Sequence, residues 1–339
     1  MKRIALALAV VLGLTAWTIQ AQQVTGTVES HLAAAKKAAG SDFTALYDRI
    51  CSEYEKPLTP PPPAGQGRGG GGGGRQAGPP PAAQWHAEPM KVFDNLYFVG
   101  MTEYSAWALT TSQGIIVIDT IYDYSVEDEV VNGLKKLGLN PADIKYALVS
   151  HAHTDHIGGA KYLQEHFGAR VVMSKEDWDV SDRTIPERIR PKRDVEVKDG
   201  DKLTLGDTTI TMYLTPGHTP GTISSIYQVK DRGTTHTVAT WGGTAFNFAP
   251  KPENFLPYIR SAERYRDVVR KAGADVVLSN HTAYDSTNAK IAALRARKPN
   301  ERHPFVIGNA NILRYLTTAE ECARAGFLAT SKLAGTSSR

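Results

Sequence analysis

From Trp85 onward the hydrophobic positions fall into short runs broken by turn residues: "VFDNLYFVG", "YSAWALTTSQGIIVIDT", "IKYALVS" and "RVVMS". Runs of this length, rich in β-branched and aromatic residues, predict buried strands. Between them the spacing becomes helical, in "SVEDEVVNGLKKLG" and "GGAKYLQEHFG". The second half repeats the style. "KLTLGDTTITMYLT" predicts a hairpin turning at Gly206 and Asp207, "GTISSIYQV" and "TTHTVATWGG" predict strands, "AERYRDVVRKAG" a helix and "ADVVLSN" a last strand. Two helices near "STNAKIAALRA" and "ANILRYLTTAEECARAGFLA" close the chain. Two β-rich halves, each finished by helices, predict an α/β four-layer sandwich rather than a dinucleotide-binding sheet, and no G-x-G-x-x-G follows a strand.

Upstream the pattern differs. "TVESHLAAAKKAAG" and "SDFTALYDRICSEY" predict two short helices, and "PLTPPPPAGQGRGGGGGGRQAGPPPAAQ" is too rich in Pro and Gly to bury a core and predicts a disordered linker. At the very start Lys2 and Arg3 precede an apolar stretch from Ile4 to Trp17 that is short for a membrane span. This predicts an export signal cleaved near Ala21, with an uncleaved anchor as the alternative. The expected organisation is a signal peptide over 1–21, a helical extension over 22–57, the linker over 58–84 and the main domain over 85–339.

Composition narrows the function classes. Hydrophobic residues make up 41% and charged residues 22%, which excludes wholesale disorder and a multi-span membrane protein. A net charge of +4 without a dense basic block argues against nucleic acid and for a small-molecule partner. The expected location is secreted, periplasmic in a Gram-negative source, with no stable membrane span after cleavage. Oligomeric state is not readable from these features. Two cysteines, Cys51 and Cys322, remain after the signal. An oxidising compartment permits a bridge between them, and buried free thiols remain the alternative.

The chemistry concentrates in "SHAHTDHIGG", directly behind the strand "IKYALVS". His151, His153, Asp155 and His156 form H-x-H-x-D-H at a strand's C-terminal end, where open α/β sheets place their sites. Imidazoles and a carboxylate suit a borderline-soft divalent ion such as zinc. Alternation lets His151 and His153 share one ion, while Asp155 and His156 face a neighbouring one. Four groups cannot complete two sites. His218 in "TPGHTPG" and His281 in "LSNHTAYD" supply further donors at two other strand ends, so five of the chain's ten histidines stand at such junctions. His31, His86, His166, His236 and His303 lack this context and read as structural.

"HAHTDH", "TPGHTPG" and the late "SNH" resemble the metal motifs of the metallo-β-lactamase fold superfamily, from about Trp85 to the C-terminal helices. The resemblance implies an αββα sandwich and two zinc ions per chain. The lactonase, glyoxalase II and nuclease branches usually carry a bridging Asp at the end of the strand between the two later histidines. Here Trp241, Gly242 and Gly243 stand there. What remains is similar to the B3 subclass: His151, His153 and His218 for one zinc, Asp155, His156 and His281 for the other. That resemblance implies β-lactam ring opening by a zinc-bound hydroxide oriented by Asp155, an antibiotic-resistance activity. A dinuclear zinc esterase or lactonase and a non-catalytic zinc-binding envelope module stand as alternatives. Thr244 and Gly243 are candidate substrate contacts, against a plain strand residue and a tight turn. Asp119, ending "GIIVID", is a candidate to hold a ligand histidine, against a simple turn role.

Overall fold

The computed structural model describes residues 24–58 and 79–337. The predicted signal peptide and most of the predicted linker lie outside them. Two sheets stack face to face. The first runs in the order β1 (Met90–Phe93), β2 (Leu96–Phe98), β3 (Trp107–Thr111), β4 (Gly114–Ile118), β5 (Ile144–Leu148), β6 (Arg170–Ser174) and β7 (Val195–Val197). It is antiparallel through β4 and parallel from β4 to β7. The second has the spatial order β12-β11-β10-β9-β8, built from β8 (Lys202–Leu205), β9 (Thr208–Leu214), β10 (Ile223–Asp231), β11 (Thr234–Trp241) and β12 (Val276–Ser279), with only β11 and β12 parallel.

Nine α-helices lie among the described residues, the longer ones after β4 against the outer faces: α1 (Val28–Ala39), α2 (Thr44–Ile50), α3 (Asn132–Lys136), α4 (Thr154–Ile157), α5 (Ala160–Phe167), α6 (Lys175–Thr184), α7 (Pro252–Ala272), α8 (Thr287–Ala296) and α9 (Asn309–Ser337). Alternation along β4 sets the layers. Ile116 and Ile118 face the second sheet with Phe98, Trp107, Ile210 and Tyr227, whereas Ile115 and Val117 face Leu134, Leu163 and Trp178 on the helical side. On the far side Ala239, Trp241 and Val277 pack against Phe255, Tyr258, Tyr265 and Tyr315 of α7 and α9. The result is the expected αββα sandwich.

Three details depart from the sequence reading. The helix expected from Ala262 begins at Pro252, with Pro at its first position, where a missing N–H costs nothing. The segment after β4 opens with a π-helical turn, Glu127–Val131, before α3. The predicted linker ends early, because Ala82–Gln84 form a 3-10 turn and Trp85 Nε1 donates to Pro80 O at 2.9 Å.

The extension is not a separate appendage. Leu32, Leu46 and Ile50 share one core with Ile312, Tyr315 and Ala319 of α9. Arg314 donates to the carbonyls of Ala38 and Ala39 and so closes the C-terminus of α1. Cys51 and Cys322 form a disulfide. Helices of twelve and seven residues cannot bury an apolar face alone, and α9 supplies the missing surface.

Candidate metal centre

Three strand ends converge at one edge of the sandwich. The loop after β5 carries His151 and His153, the short helix α4 behind it carries Asp155 and His156, the turn between β9 and β10 carries His218, and the loop after β12 carries His281. His218 Nε2 lies 3.0 Å from His151 Nε2 and 3.1 Å from His153 Nδ1. Asp155 Oδ2 lies 3.1 Å from His156 Nε2 and 3.4 Å from His281 Nε2, and the two imidazole nitrogens are 3.3 Å apart. The two triads adjoin, with the His151 and His156 ring centroids 4.3 Å apart.

Hydrogen bonds on the far side of each ring fix which nitrogen faces inward. A carbonyl only accepts, so the proximity of His151 Nδ1 to Gly242 O (2.9 Å) and of His218 Nδ1 to Ala245 O (2.6 Å) places the protons on Nδ1. Their Nε2 lone pairs then point at each other. Bare lone pairs at 3 Å repel unless a cation lies among them, and three imidazoles suit zinc. Burial, with His153 adding to it, pushes His218 down to about 3, and burial puts His151 well below the ordinary histidine value. Burial thus favours the neutral ring at both positions, the state a metal ligand needs.

The second set behaves differently. Burial would lower His156, but the carboxylates of Asp155 and Asp119 outweigh it and raise the ring to about 10. Asp155 is pulled far below the usual carboxylate range: burial opposes this, and the His156 charge and hydrogen bond overcome it. His156 is fully buried, while Asp155 and His281 retain 17% and 20% exposure, so the second triad opens to solvent.

The metallo-beta-lactamase superfamily pattern matches residues 100–232. A Cronobacter sakazakii metallo-β-lactamase is 28% identical, with 75% of this chain and 96% of that one superposed at a TM-score of 0.60. The subclass B3 metallo-β-lactamase of Bradyrhizobium japonicum is 27% identical, covers 74% and 96% respectively, and scores 0.58. The fold is that of the metallo-β-lactamase superfamily. An N-acyl homoserine lactonase from a Bacillus species is 26% identical over 176 residues, 49% of this chain and 66% of that relative. The chain therefore spans just under two thirds of that curated relative.

Within this metallo-β-lactamase frame Asp119, just past the end of β4, touches a ring of the second triad. Its Oδ2 lies 3.1 Å from His156 Nδ1, and its carboxylate also accepts from Ser150 N and Oγ. Thr120 adds a second hold on His156, donating to its carbonyl from both N and Oγ1. Asp119 and Ile121 both have positive φ, 58° and 52°, and for a β-branched residue such as Ile121 that conformation is strained. Gly158 belongs to the same device. A Cβ there would stand 2.9 Å from Ile121 O and 2.4 Å from Thr154 O, so only glycine lets the two loops meet.

Two proposed substrate contacts are corrected. Thr244 is 1% exposed, with Oγ1 3.3 Å from Ser279 Oγ and 3.5 Å from the Tyr315 hydroxyl, so its side chain serves the interior rather than an open surface. Gly243 also faces inward. An added Cβ would lie 2.5 Å from His218 Cβ, so the glycine makes room for that ring. His31, His86, His166, His236 and His303 lie outside both triads, and their partners are respectively Glu321, Glu129, Tyr162 O, Asp275 and Val92 O.

Sequence reasoning missed several supporting residues. Asp177 on α6 accepts from Ala152 N, Thr219 Oγ1 and Gly221 N, tying the His151 loop to the His218 turn. Its signal was the S-x-x-D pattern of Ser174 and Asp177, in which Ser174 caps α6. Asp285 accepts from Ser279 N and from Thr287, fixing the loop that carries His281. Asn280 donates to Gly242 O, the same carbonyl that orients His151. Tyr104 is bridged to His281 through the backbone.

Proposed function

We propose that the chain is a zinc-dependent hydrolase of B3 type that opens a β-lactam ring with two ions per chain, one on His151, His153 and His218, the other on Asp155, His156 and His281. One observation carries the reading. The end of β11, where a bridging carboxylate would stand, is Trp241-Gly242-Gly243, and the Gly242 carbonyl is engaged by His151 and Asn280. The two triads are thereby left as independent three-ligand sets, each with room for one more partner.

When bound, the ions would supply a Lewis acid and a water acidified to about pKa 7. The protein's part is orientation. Gly242 O and Ala245 O hold His151 and His218 with Nε2 inward, and Asp119 does the same for His156. The ionised, partly exposed Asp155 carboxylate would accept a hydrogen bond from the attacking water and so orient it. His151, His156 and His218 form a buried floor that keeps bulk solvent to one side.

Likeness to an N-acyl homoserine lactonase supports a second reading, in which the same centre opens a lactone. A purely structural zinc module fits less well, since closed structural sites use four protein ligands. Export is part of the proposal. The apolar stretch behind Lys2 and Arg3 supports it, and so does a disulfide, which persists in oxidising compartments. Among the described residues no helix is long and apolar enough to cross a membrane.

The test is turnover of a penicillin, a cephalosporin, a carbapenem and an acyl homoserine lactone by zinc-loaded protein, with and without chelator. Chelator-sensitive β-lactam opening is the expected result. Turnover of the lactone alone would replace the first reading with the second.

A further inference from the structure

Lys290, on α8, is a charged side chain whose surroundings do not satisfy it. Its Nζ is buried and has no hydrogen-bond partner among the described residues. The ammonium lies 5.3 Å from the Phe305 ring centroid. Asp285 acts on it through space, but that carboxylate is already committed to Ser279 N and to Thr287 N and Oγ1. Burial therefore pushes Lys290 below the ordinary lysine value. Its place in the helix adds a second cost. Lys290 stands in the opening turn of α8, where the helix dipole favours an anion and opposes a cation, and that turn has neither an acidic residue nor a side-chain cap.

Lys290 lines a cavity of about 360 Å³ at the seam between α8, the start of α2 and the segment leading into α9. Arg302 lines it too, exposed and without an ion pair or hydrogen bond to another described residue. The other charges on the lining are balanced. Asp42 pairs with Arg314 at 2.7 Å, and Asp285 offsets Lys290. His303 accepts from Phe305 N through Nδ1 and is therefore neutral. One positive charge, that of Arg302, is left over. Phe43, Val306 and Ile307 make the rest of the wall apolar. At roughly 30 Å³ per water-sized group the cavity has space for about twelve heavy atoms. A single surplus charge beside an apolar wall selects a monoanion with an apolar body, a carboxylate rather than a phosphate dianion.

We propose that this cavity is a binding site for a small monocarboxylate, with Lys290 and Arg302 donating to its head group and Phe43 and Val306 covering its body. The flexible lysine stem lets Nζ turn from the Phe305 face toward that head group. The ligand lies apart from both triads. It joins the N-terminal extension to α8 and to the segment before α9, three elements that meet only in the folded chain, and so stabilises the native state by mass action.

The thermal midpoint of the zinc-loaded full chain, titrated with butyrate, butyramide and inorganic phosphate at constant ionic strength in chloride, tests the site without any turnover. Saturation of the shift gives each dissociation constant. Butyrate should bind about tenfold or more tightly than butyramide, the gain expected from charge-assisted hydrogen bonds. In Lys290→Met, which keeps most of the side chain's length and removes the unpartnered buried charge, that ratio should fall to about threefold or less. Arg302→Gln, at an exposed position, should lower it as well. Butyrate held at the zinc ions instead would give a ratio that both variants leave unchanged, and that result would overturn the site. Equal binding of butyrate and butyramide to the unsubstituted protein would do the same. A Lys290-dependent shift with phosphate but none with butyrate would overturn the carboxylate assignment.

Discussion

The carboxylate of Asp177 accepts the N–H of Gly221 at 2.9 Å, and through its other oxygen the N–H of Ala152 at the same distance. One buried side chain thus fastens the loop of His151 and His153 to the turn of His218, across more than sixty residues of sequence. Asp177→Ala leaves three buried donors without their acceptor, at about 1–3 kcal/mol for each that finds no water. Zinc affinity of the His151 site should fall about 10- to 100-fold, the range typical of lost supporting bonds. Competition with a chromogenic chelator measures it. An unchanged dissociation constant would mean the loops hold without the clamp.

His281 and His218 separate the two sites. His281→Ala should leave about one zinc per chain, retained by the three-histidine set, and His218→Ala should lose the other ion instead. Metal analysis after dialysis reads the stoichiometry. Asp119→Ala should resemble a weaker His281→Ala, because His156 loses the acceptor that orients it. Two ions retained in His281→Ala would remove it from the ligand set.

The Cys51–Cys322 disulfide closes a loop of 271 residues and joins the extension to α9. Cross-links of this kind contribute about 2–4 kcal/mol, mainly by restricting the unfolded chain. Reductant should therefore lower the thermal midpoint of the unsubstituted protein and leave a Cys51→Ser, Cys322→Ser double variant unaffected. Equal sensitivity of the two proteins would exclude the bridge as the cause.

His86 Nδ1 lies 2.5 Å from Glu129 Oε1. Hydrogen bonds to Glu129 and Glu88 raise His86 above its ordinary 6.5. A histidine raised on folding contributes stability that is complete below pH 6.5 and disappears as pH rises through the raised value. Glu129, raised mainly by burial, has the same sign in a lower window that begins at its ordinary 4.5. The urea midpoint should decline from pH 6.5 upward, with a gain well under that of a buried pair because the histidine is 38% exposed. His86→Asn should flatten this limb. A variant that keeps the full slope would assign it to another group.

Much of this architecture is local and was therefore legible. The unbroken apolar run of β4 announced a strand with two buried faces, and H-x-H-x-D-H behind another apolar run announced a cluster of candidate ligands at one strand end. His218 and His281 could be added because each follows a strand and sits in its own turn. Asp119 could be singled out for the same reason. Periodicity and motif spacing are properties of a few consecutive residues, so they survive in a one-dimensional string.

Only the tertiary structure decided the rest. His218 Nε2 meets His151 Nε2 across 67 positions, Asp177 joins two ligand loops, and Arg314 closes a helix nearly 280 residues upstream. The sequence offered Thr244 and Gly243 as candidate substrate contacts and residues 22–57 as a helical extension; packing buries the first two and joins the helices of the extension to α9. Phe43, Lys290 and Arg302 carry no shared spacing, yet they line one cavity. The physical reason is common to all of them: a hydrogen bond or ring contact between distant segments depends on how two sheets and their helices stack, and stacking leaves no periodic trace in either partner's own neighbourhood.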